Sequence, residues 1–445
     1  MPSYPNHDEM RESMFRSLHA RALCALAVGS VLLSATACSS AESATKEDAA
    51  QGSSSCSALD PSLAWYGDNR VRLDAMMTEF GTCGAAGDVD DGAPLALFDW
   101  DNTVVKNDIG SATAFWMIKN NKVLQPAGAD WATTSRFMTP AGAAALSAAC
   151  GSETAPGQPL VTSTDLDCAD EIVAVLEEKT RDGQVAFDGY DHRRTKAAYA
   201  WAVQLMAGHT EDEITEYARA ARAENLAAAE GSDQTVGTTE VDGSVRYYAQ
   251  VEDLVKTLGA HGFDVRIISA SAEPVVRVWS EQLGLDADHV MGVRPIVEGG
   301  VLTGRLRGCG GVADGDDSVI PYIDGKRCQV NEVVYGVQGP TAFEQLPADR
   351  RQVFAAGDSV TDVTFLGDAT GARLVINRNN PELMCNAYDN SDGKWLVNPM
   401  FIEPKVQADA PYHCSTDAYT DAAGAKGAVT RADGSVIPDQ VDTVA

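Results

Sequence analysis

The sequence predicts an α/β fold, a Rossmann-like parallel-sheet core with an inserted, mainly helical cap domain. Three observations predict it. Short apolar runs at Leu95–Phe98, Val265–Ile268 and Val353–Ala356 have the length and composition of buried strands. Stretches with apolar residues at helical spacing lie between them, the alternation that builds a parallel sheet. A long Ala-rich, helix-patterned block from about Asp108 to Gly243 separates the first run from the second.

Composition sets outer bounds. The 445 residues are enough for about two or three domains. Lys plus Arg number 34 against 64 Asp plus Glu, a formal charge of −30. A surface this acidic excludes nucleic acid and anionic lipid as partners, and an anionic substrate would need a metal ion or a local lysine to approach.

The first segment is read as an address. Arg11, Arg16 and Arg21 precede an apolar run from Ala22 to Leu33, and small residues lead to Cys38. That order is a secretory signal ending in a lipobox-like site, over residues 1–38. Lipidation of Cys38 would then be the chain's only membrane contact, placing it as an exported surface or periplasmic lipoprotein; plain secretion is the alternative. Residues 39–55, rich in Ser and Ala, read as a flexible tether. Of ten cysteines, Cys24 and Cys38 belong to this leader. The other eight suggest disulfides in an exported chain. Sequential pairing is expected, Cys56–Cys83, Cys150–Cys168, Cys309–Cys328 and Cys385–Cys414, because each pair flanks one loop-rich segment.

The core is assigned to 56–107 and 244–404, the cap to 108–243. Leu73, Met76, Met77 and Phe80 give a helix over Asn69–Phe80. The strand Leu95–Phe98 runs into Asp99, Trp100, Asp101, Asn102 and Thr103. In the cap, Phe115–Ile118 begins a helix, Cys150–Cys168 reads as a loop, and Thr195–Met206 is a helix closed by Gly208. Thr210 and Glu213 form a capping-box pattern for the next helix. Val251, Leu254, Val255 and Leu258 lie on another. The strand Val265–Ile268 ends at Ser269, and Pro274 suits the first turn of a following helix. Residues 295–345 are polar and Gly-rich, a hairpin or irregular excursion containing Lys326. Val353–Ala356 ends at Gly357 and Asp358, with Asp362 on the next helix, and Arg373–Ile376 is a further strand. The tail, 405–445, reads as loosely packed.

In an open α/β sheet, ligands bind beyond the carboxyl ends of the strands. Asp99 and Asp101, Ser269, and Asp358 with Asp362 would therefore meet at one edge. Two carboxylates two residues apart repel one another unless a cation or a reacting group lies between them.

This ordered set resembles the haloacid dehalogenase-like superfamily of aspartate-nucleophile phosphatases. Asp99, Asp101 and Thr103 match its Asp-x-Asp-x-Thr motif. Ser269 matches its second motif, Lys326 its lysine, and Gly357, Asp358 and Asp362 its last motif. A closer resemblance is to bacterial exported phosphorylcholine phosphatases, carried by Trp65, DWDNT with Asp108, RIISA, IDGK around Lys326, and RLVINR at Arg373. The resemblance implies Mg2+-dependent hydrolysis of a small phosphomonoester, phosphocholine among them. Asp99 would be the nucleophile, Asp101 the acid and base, and Lys326 the catalytic cation. Asn102, Thr103, Ser269 and Ala270 would bind substrate. Asp99, the Asp101 carbonyl, Asp358 and Asp362 would hold the magnesium. Phe115, Trp116, Trp131, Tyr199 and Trp201 could face a quaternary ammonium. The sequence leaves two alternatives open: another small phosphomonoester of phosphoserine or sugar type, or a non-catalytic surface binding lipoprotein retaining the fold.

Overall fold

A computed structural model describes residues 56–444 of the chain. The expected leader, Cys38 and the tether lie outside the described residues. Helix α1 (Asn69–Phe80) precedes strand β1 (Leu95–Phe98). Helices α2 (Ile109–Lys119), α3 (Pro140–Cys150), α4 (Leu166–Leu176), α5 (Ala197–Gln204) and α6 (Glu211–Ala227) follow. Then come α7 (Ala249–Ala260), β2 (Asp264–Ala272), α8 (Glu273–Ser280), β3 (Val290–Val293) and α9 (Asp324–Val333). The series closes with β4 (Phe354–Gly357), α10 (Val363–Asp368), β5 (Ala372–Asn377), α11 (Pro381–Asp389) and β6 (Trp395–Pro399).

The six strands make one parallel sheet in the order β6-β5-β4-β1-β2-β3. β1 is central because Leu95–Phe98 is apolar on both faces and all four residues are buried, as a strand covered by helices on each side requires. Phe98 pairs with Ala356 of β4 and Ile267 of β2. That register brings Asp99 and Asp358 off the sheet at nearly the same level.

The excursion between β1 and β2 has a core of its own, built on Phe115, Trp131, Leu146, Ile172 and Trp201. It leaves and returns through a short antiparallel ladder in which Val105–Lys106 faces Arg246–Tyr247. Thr210 and Glu213 close the α6 capping box as the sequence predicts. The excursion is not helical throughout. Asp233–Val236 and Thr239–Asp242 form a hairpin. The buried Asp170 fixes its turn by accepting from the Thr238 N–H at 2.7 Å and from the hydroxyls of Thr238 and Thr239 at 2.7 and 2.9 Å. Three bonds to one distant carboxylate stabilise a turn that local composition hides.

Several other expectations need correction. β2 does not stop at Ile268 but continues to Ala272, because its serines are small and bonded: the Ser269 hydroxyl accepts from the Ser271 N–H at 3.1 Å. Residues 295–345 contain the hairpin Pro295–Glu298 with Val301–Leu306, yet also the helix α9. Asp362 lies on a 3-10 turn that leads into α10, not on the helix itself. The tail is not loosely packed. Tyr412, Cys414, Val429, Ile437 and Val444 are buried in it. Buried Asp442 accepts from the Tyr388 hydroxyl and from the Ala408 N–H. Its cysteine joins Cys385 of α11, and all four disulfides follow the sequential pairing.

Candidate active site

The site forms where β1, β2 and β4 end. Gly357 is required there by a close approach: a Cβ would lie 2.6 Å from that of Asp362 and 2.7 Å from its Oδ2. Without that side chain, Asp362 folds back under the strand end. Its Oδ2 accepts from the N–H groups of Asp358 and Ser359 at 2.9 and 3.1 Å. Its Oδ1 accepts from the Thr361 hydroxyl at 2.8 Å and from Lys326 Nζ at 2.6 Å.

Lys326, at the start of α9, is fully buried. Its Nζ also donates to Asp99 Oδ1 at 2.6 Å and sits 5.2 Å from the Phe365 ring centre. Burial opposes the ammonium charge, but Asp362 and Asp99 together outweigh it and hold the lysine protonated. The Thr103 hydroxyl lies 3.0 Å from Asp99 Oδ2 and 3.3 Å from Asp358 Oδ1. Asp358 Oδ2 accepts from Arg378 Nη1 at 2.6 Å.

Asp101 is held apart from this group. Its Oδ1 accepts from the Ile109 N–H at 2.8 Å, and its Oδ2 from the Ser271 hydroxyl at 2.7 Å, with the Ser269 hydroxyl 3.5 Å away. Burial, then repulsion from Asp108 and Asp99, raises its carboxyl well above the usual carboxylate range. Asp99 is raised to about 6, by burial and by Asp362, against the pull of Lys326. Asp358 rises for the same first reason, burial, with Arg378 opposing and Asp99 and Asp362 adding. Two adjacent carboxyls thus have different partners, the setting in which one attacks as an anion and the other delivers a proton.

The acids fit a divalent cation. Carboxylate oxygens of Asp99, Asp358 and Asp362 lie within 4.8 Å of one another. Of four buried or half-buried carboxyls, Asp99, Asp358 and Asp362 bond to Lys326 or Arg378, and Asp101 bonds to neither cation. Oxygen ligands and unbalanced negative charge suit a hard ion. Within this set Asp362 has all its acceptor positions in use, so it orients Lys326 and the loop. The Asp101 carboxylate points elsewhere, which leaves only its backbone carbonyl for a metal.

Not every expected contact is made. Thr103 is wholly buried on the acids, not open to a substrate. Asn102, at φ +60°, does line the cleft, while its Oδ1 accepts from the Asn107 N–H at 3.0 Å and closes the loop after β1. Ser269 is also buried, because β2 runs on past it, and it is Ala270 and Ser271 that line the cleft. Of the five aromatics, Phe115, Trp131 and Trp201 fill the core of the excursion, and Trp116 stacks on Tyr217 at 5.4 Å. Tyr199 alone lines the cleft, 40% exposed, with Asp108, Val203, Met206 and Arg378. Sequence reasoning missed Arg378 and Ser271. Arg378 lies inside the quoted RLVINR stretch, and Ser271 two residues beyond Ser269 on the same strand face, which is the signal that could have found it.

Residues 171–367 match the family model described as haloacid dehalogenase-like hydrolase. That range contains Ser269, Lys326, Asp358 and Asp362; Asp99 and Asp101 precede it and join the others through the sheet. No curated protein matches the chain. Among solved structures, a conserved functionally unknown protein from Anaerococcus prevotii is 17% identical with a TM-score of 0.55, covering 76% of this chain and 93% of its own. A protein with unknown function from Bordetella pertussis Tohama I is 18% identical at TM-score 0.42, over 69% of this chain and 98% of that one. Phosphoserine phosphatase in apo form is 14% identical at TM-score 0.30, over 64% and 86%. The first supports the fold; the other two superpose too loosely to bear on it. The family match over residues 171–367, with a six-stranded parallel sheet that carries the strand-end acids, makes the chain similar to hydrolases of the haloacid dehalogenase-like superfamily.

Proposed function

We propose that the protein hydrolyses a small phosphomonoester through an aspartyl-phosphate intermediate. The observation that carries this is the division of labour between Asp99, bonded to Lys326, and Asp101, bonded to Ser271 and the Ile109 N–H. An Asp99 oxygen attacks phosphorus while the ester P–O bond breaks, and Asp101 gives its proton to the departing alkoxide. Asp101 then takes a proton from water as that water attacks the acyl phosphate, releasing inorganic phosphate and restoring Asp99. Lys326 offsets the charge on Asp99 and on the phosphoryl oxygens. Magnesium, held by Asp99, Asp358 and the Asp101 carbonyl, would neutralise phosphoryl charge. Residues 108–243 act as a cap that shapes the leaving-group side of the cleft.

Within this class, choline is a leaving group that Tyr199 and Asp108 could meet. That finer reading rests on the sequence resemblance and on these two residues alone. Export is supported by the N-terminal segment and the four disulfides; the lipid anchor on Cys38 rests on sequence. The test is a phosphomonoester panel on the chain from Cys56 onward, with and without magnesium. Hydrolysis should require magnesium and be lost in Asp99→Asn. Turnover that survives that substitution would sink the mechanism.

A further inference from the structure

Lys326 owes its place to an unusual backbone. Ile323, immediately before α9, adopts φ +48° and ψ −103°. It is the only β-branched residue among the described non-glycine residues at positive φ, where a branched Cβ crowds the chain. Nothing local favours it. The next step is also tight: a Cβ on Gly325 would meet the Ile320 carbonyl oxygen at 1.9 Å. Such a turn persists only where its surroundings over-determine it.

Those surroundings come from four separate parts of the chain. The Ile323 N–H donates to the Thr361 carbonyl at 3.0 Å, and the Asp324 N–H to the Arg193 carbonyl at 2.9 Å. Arg193 belongs to the excursion and is buried. Its Nη1 reaches both oxygens of Glu382 on α11, at 2.8 and 2.9 Å. Its guanidinium lies 4.8 Å from the Tyr419 ring centre in the tail, and its Nε is 3.9 Å from Asp324 Oδ2. Beside it the His192 N–H donates to the Ala422 carbonyl at 3.0 Å. One buried cation therefore ties the excursion, α11 and the tail to the residue after the strained turn.

We propose that Arg193 is a positioning residue that, with the C-terminal tail, holds the Ile323 turn and so keeps Lys326 between Asp99 and Asp362. The inference rests on the role given to Lys326 above only for its activity readout. The tail is in this account a strap for the catalytic lysine.

The test pairs Arg193→Gln with Ile323→Gly, because glycine takes positive φ without crowding. Three quantities are read well below the melting temperature: kcat and KM on an aryl phosphate, and acylation of Lys326 by acetic anhydride, mapped by mass spectrometry. Arg193→Gln should lower kcat by up to roughly a hundredfold, the scale of a small misplacement of a reacting group. KM should stay within about twofold. Lys326, protected in the wild type, should become acylated. The double variant should regain protection and most of kcat, although Ile323→Gly alone lowers the melting temperature by leaving a cavity. A purely architectural role for Arg193 gives no such rescue. Should Arg193→Gln fail to fold, Glu382→Gln takes its place with the same readouts. The proposal is overturned if Lys326 stays protected in the folded single variant, or if the double variant is no better than Arg193→Gln. If the wild type hydrolyses no phosphomonoester, the proposed function fails, while the acylation arm still decides this inference.

Discussion

The two ends of β2 present buried acids in opposite electrical states. At its start, Asp264 is fully buried and balanced: Arg266 donates to it from Nε at 2.9 and 3.0 Å and from Nη2 at 2.7 Å, and the Val89 N–H adds a bond at 3.0 Å. At its far end, Ser269 and Ser271 reach Asp101, which has no cation partner among the described residues and lies beside three acids, Asp99, Asp358 and Asp362, that bond to Lys326 and Arg378. A buried acid by itself therefore says little about function. Burying charge is costly unless it is paired, so an excess of carboxyls at the carboxyl edge of the sheet is the informative feature. One end stabilises the fold; the other holds charge in a state that a cation and a phosphoryl group can use.

Substitutions can break this comparison from either side. After the loss expected for Asp99→Asn, the largest effect is expected at Asp101. Asp101→Asn should lower kcat by roughly 10²–10⁴-fold, the usual worth of a positioned acid and base. Its melting temperature should stay near that of the wild type, because the amide keeps the shape of the protonated carboxyl and its oxygen can still accept from the Ile109 N–H. Arg266→Ala should do the reverse. It strands the Asp264 charge and should cost about 3–5 kcal/mol in denaturant unfolding, while kcat measured on the folded fraction is unchanged. Adding magnesium at roughly a hundredfold excess over its Kd should stabilise the wild type by about 2.7 kcal/mol. That gain should largely disappear in Asp358→Asn and persist in Arg266→Ala, which locates the binding at the unbalanced end. The smallest change is Ser271→Ala. Losing one hydrogen bond of about 1 kcal/mol to Asp101 should lower kcat roughly fivefold, with KM little altered.

What the sequence made legible follows the same division. β1 and β4 could be read because their residues are apolar or Gly and run into Asp, and β5 because of its Leu374–Ile376 run shortly after Gly371. The strand-end acids could be read because parallel strands must deliver their ends to one edge. β3 and β6 were not legible: they are short edge strands, and Gly292 or Pro399 interrupts the pattern. α9 was hidden by its polar composition, since it is stabilised by long-range contacts to Arg193 and Thr361, not by an apolar stripe. The tail looked loose because its order depends on Asp442, Tyr388 and the Cys385–Cys414 bond, none of which is local. At the site, residue types were informative but side-chain direction was not. Thr103 and Ser269 turn inward onto acids, and Arg378 reaches Asp358 from β5's end without any spacing to announce it.

The central claim is that Asp99 carries the phosphoryl group. The direct measurement is to quench the enzyme during turnover of an aryl phosphate, reduce it with borohydride, and map the product by mass spectrometry. Reduction of an aspartyl phosphate leaves homoserine, and the account places it at position 99 and nowhere else, with no such product in Asp99→Asn. Undiminished hydrolysis with homoserine absent from position 99, or found at Asp101 or Asp358, would contradict it.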